Sequence, residues 1–360
     1  MISPKHDVQH RPKTSTQPAG GNSTEDRKFH SCRVAWMVAN LLLGAESEDI
    51  LRAMTDAGFS EAYALARLSE FEQNVTVVSA RKTLAVQRKA SDILDALSRL
   101  EYISPFSKQI DVAQNLPAGD FYRDYFFRNR PVHLKGLTSE WKAMQLWTPE
   151  YFADHFGDAE VEVVIGRESD PEHEYNFDRH KAQVAMREYI RMVVEGGETN
   201  DFYMIAQNYL LGRPEFQELY GHLDSLDGYL DDASMRGRVR VWIGPKGVIT
   251  RLHHDPNPVM MAQVYGHKQV KLISPFHLSN VSTNGEWLCT LDLDHPDYDE
   301  FSKMRNVDIP EVTLEPGDLL FIPTGWWHWV KGLDVTISMS LDNFQVARDE
   351  IEMNCQRDRG

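Results

Sequence analysis

At 360 residues, with 42% hydrophobic and 26% charged residues, the chain has the composition of a folded globular protein. Its formal net charge of -16 argues against nucleic acid as a partner, because binding to a phosphate backbone requires a basic surface. The three cysteines lie far apart and form no CxxC pair, which excludes a disulfide scaffold and a cysteine-rich zinc site.

The N-terminal segment predicts little structure. Residues 1–28 are rich in Pro, Ser, Thr, Gly and charge, and we expect a disordered arm because they offer little apolar surface to bury. This arm lacks the apolar stretch of a secretory signal peptide. The longest apolar stretch, residues 34–45, is too short to span a bilayer. We therefore expect a cytoplasmic protein without a membrane partner.

Residues 29–102 predict a helical subdomain of three or four short helices. Hydrophobic residues follow helical spacing in three runs, which are Val34, Met37, Val38 and Leu41, then Ile50, Leu51 and Met54, then Ile93, Leu94, Leu97 and Leu100. The apolar faces of these helices suit a homodimer formed across a two-fold axis. The alternative is that they cover an outer sheet face of the same chain.

Residues 103–235 mix helices and strands. Residues 131–134 and 161–165 predict strands, and residues 149–156 and 184–194 predict helices. We interpret this region as the N-terminal part of the domain that follows.

Residues 236–346 predict eight short strands separated by turn residues. The expected strands are 239–243, 248–253, 260–265, 269–273, 313–314, 319–322, 327–330 and 335–341. A polar insert, residues 277–308, separates the two halves, and a tail follows at 347–360. Eight strands with this punctuation predict a jelly roll of two facing sheets.

His253, Asp255 and His328 are the strongest functional signal in the sequence. Residues i and i+2 on a strand project from the same face, so His253 and Asp255 can reach one ion together. Two imidazoles and one carboxylate can occupy one face of an octahedral Fe(II) and leave positions open for a chelating co-substrate. A single HxD pair often occurs by chance, but its combination with a later strand histidine favours a metal site.

Lys268 is the candidate for binding that co-substrate. It shares strand parity with Val270 and Leu272, so it should point into the barrel, whereas Lys271 should face outward. A buried ammonium needs an anionic partner, and a dicarboxylic co-substrate would supply one. The alternative is an edge lysine whose stem covers apolar surface. Thr250, near the metal-binding strand, can add a hydroxyl donor.

Several further residues have two interpretations. His254 falls on the other side of its strand from His253 and should face substrate or solvent. Trp242 is the best candidate for a pocket lining among four tryptophans that otherwise suit core packing, the others being Trp326, Trp327 and Trp329. Histidines without a carboxylate in strand register are expected at the surface, namely His267, His277 and His295.

Together these stretches resemble the JmjC/cupin-like family of Fe(II)- and 2-oxoglutarate-dependent oxygenases, and are nearest in pattern to the JmjC-only protein hydroxylases. The resemblance covers about residues 110–344 and rests on residues 242–256, 262–268 and 314–328. It implies a mainly β fold with α, in which a double-stranded β-helix core follows an N-terminal helical subdomain.

The resemblance also implies roles for individual residues. His253, Asp255 and His328 would be the iron ligands. Lys268, Thr250, Tyr203 and Trp242 would surround 2-oxoglutarate, and His254, Asn208 and Trp327 are the candidates for substrate contact.

The implied function is hydroxylation of an amino-acid side chain in a protein or peptide. One alternative is hydroxylation of a small molecule, such as a free or carrier-bound amino acid or a natural product. The other is a cupin that binds metal without catalysis.

Overall fold

The computed structural model describes residues 32–104, 108–281 and 287–346. The chain divides into two compact units, Met1–Ile93 and Leu94–Gly360. The predicted arm at 1–28 and the predicted tail at 347–360 lie outside the described residues.

The first unit is helical. Its helices are α1 (Cys32–Leu43), α2 (Ser47–Asp56), α3 (Glu61–Gln73) and the beginning of α4 (Val75–Ile103). The first three of these helices enclose a small core of buried side chains, which are Met37, Leu41, Ile50, Met54, Phe59, Ala64 and Leu68. None of the helices in the described part of the chain combines the length and the apolar character needed to cross a membrane.

The expectation that all these helices are short is wrong for α4. It runs for 29 residues, because the sequence between Val75 and Ile103 contains neither glycine nor proline to interrupt it. The second unit begins within this helix, at Leu94.

The N-terminal part of the second unit mixes short helices and strands. Its elements are β1 (Asp111–Ala113), α5 (Ala118–Phe121), a π-helical turn (Tyr122–Phe126), β2 (Val132–Leu134), α6 (Lys142–Leu146), α7 (Pro149–His155), β3 (Glu160–Val164), β4 (Lys181–Ala185) and α8 (Met186–Glu195). The predicted strands β2 and β3 and the predicted helix α7 are confirmed. The helix expected from residue 184 begins two residues later, because Val184 and Ala185 pair with β3 as part of β4.

All eight strands predicted after residue 236 are present, each within about two residues of its expected bounds. They are β5 (Val239–Gly244), β6 (Ile249–His254), β7 (Val259–Tyr265), β8 (Lys268–Ile273), β9 (Glu311–Leu314), β10 (Leu319–Ile322), β11 (Trp327–Gly332) and β12 (Thr336–Leu341). The strands form two sheets, in the orders β1-β2-β10-β7-β12-β5 and β6-β11-β8-β9, and from β5 to β12 each strand enters the other sheet except at the step from β8 to β9. This arrangement is the predicted jelly roll.

A core of aliphatic side chains fills the space between the two sheets. Its buried members are Ile110, Val270, Leu272, Leu314, Leu320, Ile322 and Val330. They come from the inward faces of both sheets, so the alternation of each strand defines an interior and an exterior. The interior also receives the polar residues of the candidate site.

The insert between β8 and β9 covers the outer face of the four-stranded sheet. Trp327 and Trp329 are buried there with Leu291, Leu293 and Phe301. The core-packing interpretation is therefore correct for these two tryptophans. The surface expectation for one insert residue is wrong: His277 is buried, with its Nε2 3.5 Å from Glu101 Oε2.

Candidate metal centre and co-substrate pocket

Strand β6 contains a β-bulge. In its antiparallel pairing with β11, His253 lies opposite His328, and Thr250 lies opposite Val330. Three steps along β6 therefore match two steps along β11, so β6 carries one extra residue. Such irregularities are frequent beside active sites, where they redirect a side chain.

The bulge decides which residues of β6 face the interior. Residues directly opposite one another in an antiparallel pair project from the same face. His328 is buried and Val330 belongs to the core between the sheets, so both of their partners, His253 and Thr250, face the interior. Regular alternation would have placed these two partners on opposite faces.

His253, Asp255 and His328 converge at the end of this strand pair. One potential ligand atom from each side chain lies within 4.8 Å of the others, and His328 Nε2 is 3.7 Å from Asp255 Oδ2. The two imidazole rings have centroids 4.0 Å apart. Two nitrogen donors and one carboxylate in this arrangement have the composition of an Fe(II) site with open positions.

Backbone carbonyls fix the orientation of both imidazoles. His253 Nδ1 lies 2.8 Å from the carbonyl oxygen of Arg251, and His328 Nδ1 lies 3.1 Å from that of Trp326. A carbonyl can only accept, so each Nδ1 carries the proton and each Nε2 is left with a free lone pair. This is the tautomer that a metal ligand requires.

Burial keeps the His328 imidazole neutral. Removal from water, and then the neighbouring His253, lower the pKa of His328 to about 3. At neutral pH no proton therefore competes for Nε2.

Lys268 faces the same interior between the two sheets, because it shares strand parity with the core residues Val270 and Leu272. Its side chain is only 2% exposed, and its Nζ donates to Ser338 Oγ at 2.6 Å and to the Tyr203 hydroxyl at 3.0 Å. Among the described residues no carboxylate forms an ion pair with it. A buried ammonium held only by neutral hydroxyls is a site for an anion that arrives from outside.

Trp242 borders this pocket. The Lys268 Nζ lies 5.9 Å from the centroid of the Trp242 ring, and the Trp242 and Tyr203 rings have centroids 5.6 Å apart. Thr250 faces the same interior from β6. The structure thus places Tyr203 and Trp242 beside Lys268, and it places Thr250 on the same interior face as His253 and His328.

His254 and Trp327 are not brought to the cavity. They lie opposite one another in the β6–β11 pairing, on the outer face, and their rings meet edge to face with centroids 4.6 Å apart. Trp327 is 1% exposed beneath the insert. A substrate cannot reach a side chain buried on the far side of the sheet, so Trp327 is a packing residue.

The Asn208 side chain forms hydrogen bonds with backbone groups. Its Nδ2 donates to the Val241 carbonyl at 2.9 Å, and its Oδ1 accepts from the Leu210 amide at 2.6 Å. The amide holds the segment after Tyr203 against β5, which is a structural use of the side chain.

Three residues near the site were missed by the sequence analysis. Ser338 accepts from Lys268, Arg167 stacks its guanidinium 5.5 Å from the Tyr203 ring centroid, and Trp287 approaches His253 with ring centroids 6.0 Å apart. The alternation of Thr336 and Ser338 on a predicted strand could have suggested the serine. The sequence carries no local signal for Arg167 or Trp287.

Comparison with known proteins agrees with this geometry. The cupin-like domain family matches residues 118–345. The lysine-specific demethylase JMJ30 of Arabidopsis thaliana is 28% identical over 65% of this chain and 54% of its own length. Lysine-specific demethylase 8 of Xenopus tropicalis is 26% identical over 62% and 50%, and tRNA wybutosine-synthesizing protein 5 of Danio rerio is 28% identical over 65% and 74%.

The chain spans about half the length of these two lysine-specific demethylases. The family match, in contrast, extends over more than half of this chain and contains the eight strands β5 to β12. The chain therefore belongs to the cupin-like domain family, which confirms the predicted JmjC/cupin-like resemblance.

Proposed function

We propose that this protein hydroxylates an amino-acid side chain of a protein or peptide, using Fe(II) and 2-oxoglutarate. The observation that carries the proposal is the convergence of His253, Asp255 and His328 in one cavity with a buried lysine that has no carboxylate partner among the described residues. The first feature suits the metal, and the second suits the far carboxylate of the co-substrate.

In this proposal each group has a defined task. The Nε2 atoms of His253 and His328 and the Asp255 carboxylate hold the ion. Lys268, supported by Ser338 and Tyr203, binds the distal carboxylate of 2-oxoglutarate. Iron and 2-oxoglutarate together supply the oxidising chemistry: one atom of O2 enters the substrate C–H bond, the other enters succinate, and CO2 is released.

The residues of the chain prepare the cavity for that chemistry. The carbonyls of Arg251 and Trp326 keep both imidazoles in the ligating tautomer. Water has little access to the side chains of Lys268 and His328, which are 2% and 3% exposed. Exclusion of water strengthens the charge–charge attraction between the ammonium and a bound carboxylate.

The mouth of the cavity favours a large substrate. Asp255 keeps 39% of its side chain exposed, and Trp287, beside His253, is 49% exposed. An open, partly aromatic rim is suited to a side chain presented by a polypeptide. The names of two relatives specify lysine demethylases, and oxidative removal of an N-methyl group also begins with hydroxylation of a C–H bond, in this case one of the methyl group itself.

Two alternatives are less well supported. A metal-binding cupin without catalysis would bury the Lys268 ammonium with no anion to compensate for its desolvation. A nucleic-acid substrate, suggested by the name of the tRNA-modifying relative, conflicts with the net charge of -16.

The test is an oxidation assay on peptides and small molecules in parallel. Purified protein with Fe(II), 2-oxoglutarate and O2 is incubated with a cell lysate that has been separated into a protein fraction and a metabolite fraction. We expect succinate formation and a peptide that gains the mass of one oxygen atom on a side chain. The Asp255→Ala variant should produce neither.

Other outcomes would contradict the proposal. An oxygen gain confined to the metabolite fraction would establish the small-molecule alternative. Absence of 2-oxoglutarate consumption by protein that retains bound metal would favour the non-catalytic cupin.

A further inference from the structure

The strand that carries His253 and Thr250 lies at a sheet edge. In the four-stranded sheet, β6 is the first strand and has only β11 beside it. The backbone N–H and C=O groups on its free side need other hydrogen-bond partners, because such groups are costly to leave unpaired. The bulge makes this strand less regular than an ordinary edge.

Part of the free edge is completed by the insert. The Cys289 amide donates to the Leu252 carbonyl at 2.8 Å, and the His254 amide donates to the Trp287 carbonyl at 3.0 Å. These bonds cover the C-terminal half of β6. The backbone groups of the N-terminal half, at Ile249 and Arg251, form their hydrogen bonds with other partners.

Two side chains complete that N-terminal half. Asn200 Oδ1 accepts from the Ile249 amide at 2.8 Å, and Arg167 Nη2 donates to the Ile249 carbonyl at 2.7 Å. The same Asn200 Oδ1 accepts from Arg167 Nη1 at 3.0 Å. A joined amide and guanidinium thus offer Ile249 one acceptor and one donor, as a neighbouring strand would.

Arg167 is itself firmly held. It is 5% exposed, its backbone amide donates to the Asp201 carbonyl at 3.1 Å, and its Nη2 lies 3.2 Å from His173 Nε2. Its guanidinium also lies over the ring of Tyr203, the residue that accepts a bond from Lys268. One buried side chain therefore contacts both the edge of β6 and the co-substrate pocket.

A neighbouring carboxylate contacts the backbone of β6 two residues further along, at Arg251. Glu174 Oε1 accepts from the Arg251 amide at 3.4 Å, and Glu174 Oε2 lies 3.3 Å from Arg251 Nε. Arg251 is the residue whose carbonyl orients His253. The loop between β3 and β4 thus supplies partners on both sides of Thr250.

We propose that Arg167 and Asn200 are positioning residues that replace the missing neighbour strand of β6 and thereby fix Thr250 and His253. They act through the backbone of Ile249. The inference rests on the proposed function for the identity of the ion and the co-substrate. The hydrogen bonds of Arg167 and Asn200 to the Ile249 backbone, which we call the clamp, do not depend on that function.

The decisive comparison is between Asn200→Ala and Asn200→Asp. The alanine variant loses the acceptor for both Ile249 and Arg167, whereas aspartate keeps an oxygen at that position. Amide hydrogen exchange of residues 249–253 and the affinity for Mn(II), used in place of Fe(II), are measured on the full chain. Thr138→Val serves as the control, because it removes a side-chain bond to the Gly317 carbonyl in a different part of the fold.

For Asn200→Ala we expect faster exchange at Ile249 and a loss of Mn(II) affinity of about 10- to 100-fold, the usual effect of removing an outer partner of a metal site. Asn200→Asp should restore both, and Thr138→Val should change neither. Arg167→Lys, which cannot bridge Ile249 and Asn200 together, provides a second test if the alanine variant does not fold.

The clamp is disproved if exchange at residues 249–253 is unchanged in Asn200→Ala and Arg167→Lys. Faster exchange with unaltered Mn(II) affinity would also overturn it, because the edge would then not position the ligands. Failure of the wild type to bind Mn(II) would instead count against the proposed function, and the exchange data would still decide the clamp.

Discussion

His253 donates a hydrogen bond from Nδ1 to the backbone carbonyl of Arg251, over 2.8 Å. Arg251 is one of the two residues that β6 sets against Trp329 alone on β11. The residue that accepts the bond from His253 therefore lies within the bulge that turns Thr250 to the interior.

Replacing Lys268 by alanine should weaken the binding of 2-oxoglutarate. A charge-assisted hydrogen bond to a buried carboxylate contributes about 1.5–3 kcal/mol, which corresponds to roughly a 10- to 150-fold rise in the dissociation constant. Calorimetric titration of the Mn(II)-loaded protein with 2-oxoglutarate measures it directly.

Lys271 is the matched control for this experiment. It lies on the same strand but on the other face, where its Nζ donates to the Leu293 carbonyl at 2.6 Å. Lys271→Ala should leave the 2-oxoglutarate affinity close to that of the wild type. If Lys271→Ala weakened binding more than Lys268→Ala, the lysine assignment would be wrong.

Trp327 should matter for stability and not for substrate contact. Removing this buried ring with Trp327→Ala should lower the free energy of unfolding by about 3–5 kcal/mol, as for other buried tryptophans. Trp327→Phe, which keeps an aromatic ring beside His254, should retain most of the stability and bind 2-oxoglutarate normally. Denaturant unfolding and titration test both points, and a stable alanine variant would contradict the packing role.

His277 should make the protein less stable as the pH falls below 6.5. Burial lowers the pKa of His277 from its ordinary value of 6.5, so the unfolded state takes up this proton first and is favoured in acid. Burial also raises the pKa of its neighbour Glu101 above 4.5, which acts in the opposite direction at lower pH. Both shifts favour the neutral forms of these two side chains, whose Nε2 and Oε2 atoms lie 3.5 Å apart.

The measurement is the free energy of unfolding at about pH 7.5 and about pH 6, a window in which a histidine of the unfolded state takes up its proton. His277→Asn removes the titrating group, so its loss of stability across this window should be smaller than that of the wild type. An equal loss in both proteins would show that His277 is not the group responsible.

Helix α4 carries an exposed apolar stripe in which Val86, Ile93 and Leu100 recur every seven residues. Residues 75–90 contain four basic and no acidic residues, and residues 91–103 contain three acidic and one basic. Two copies of the helix placed antiparallel would therefore match in both charge and apolar surface. We predict a homodimer through this stripe.

Light scattering of the full chain tests the dimer. Ile93→Glu should convert a dimer to a monomer, whereas Leu65→Glu, at another exposed apolar position of the helical region, should not. A wild type that is already monomeric at micromolar concentration would rule the dimer out.

The sequence was informative where local patterns carry the structure. Strand alternation and turn residues predicted all eight strands of the jelly roll, and the HxD pair with a later strand histidine identified the residues that converge. Strand parity correctly separated Lys268, which is buried, from Lys271 on the other face. These features depend on neighbours within a few residues.

What the sequence could not predict depends on pairing between distant segments. The bulge in β6 is defined by the register of its pairing with β11, so the sequence around Thr250 contains no local signal that predicts it. Arg167 becomes part of the site through contacts with Asn200 and Ile249, which are 33 and 82 residues away in the chain. The sequence predicted that His277 is a surface residue because it lies in a polar insert. In the structure it is buried beside Glu101, a residue distant in the chain.

The most direct test of the account is ion binding by metal-free protein. Calorimetric titration with Mn(II) should give one site in the wild type, and no measurable binding in Asp255→Ala or His328→Ala, because two remaining ligands do not form a stable facial site. His254→Gln, altered at the residue next to His253 but on the outer face, should bind as the wild type does. Unchanged Mn(II) binding in Asp255→Ala and His328→Ala would contradict the account.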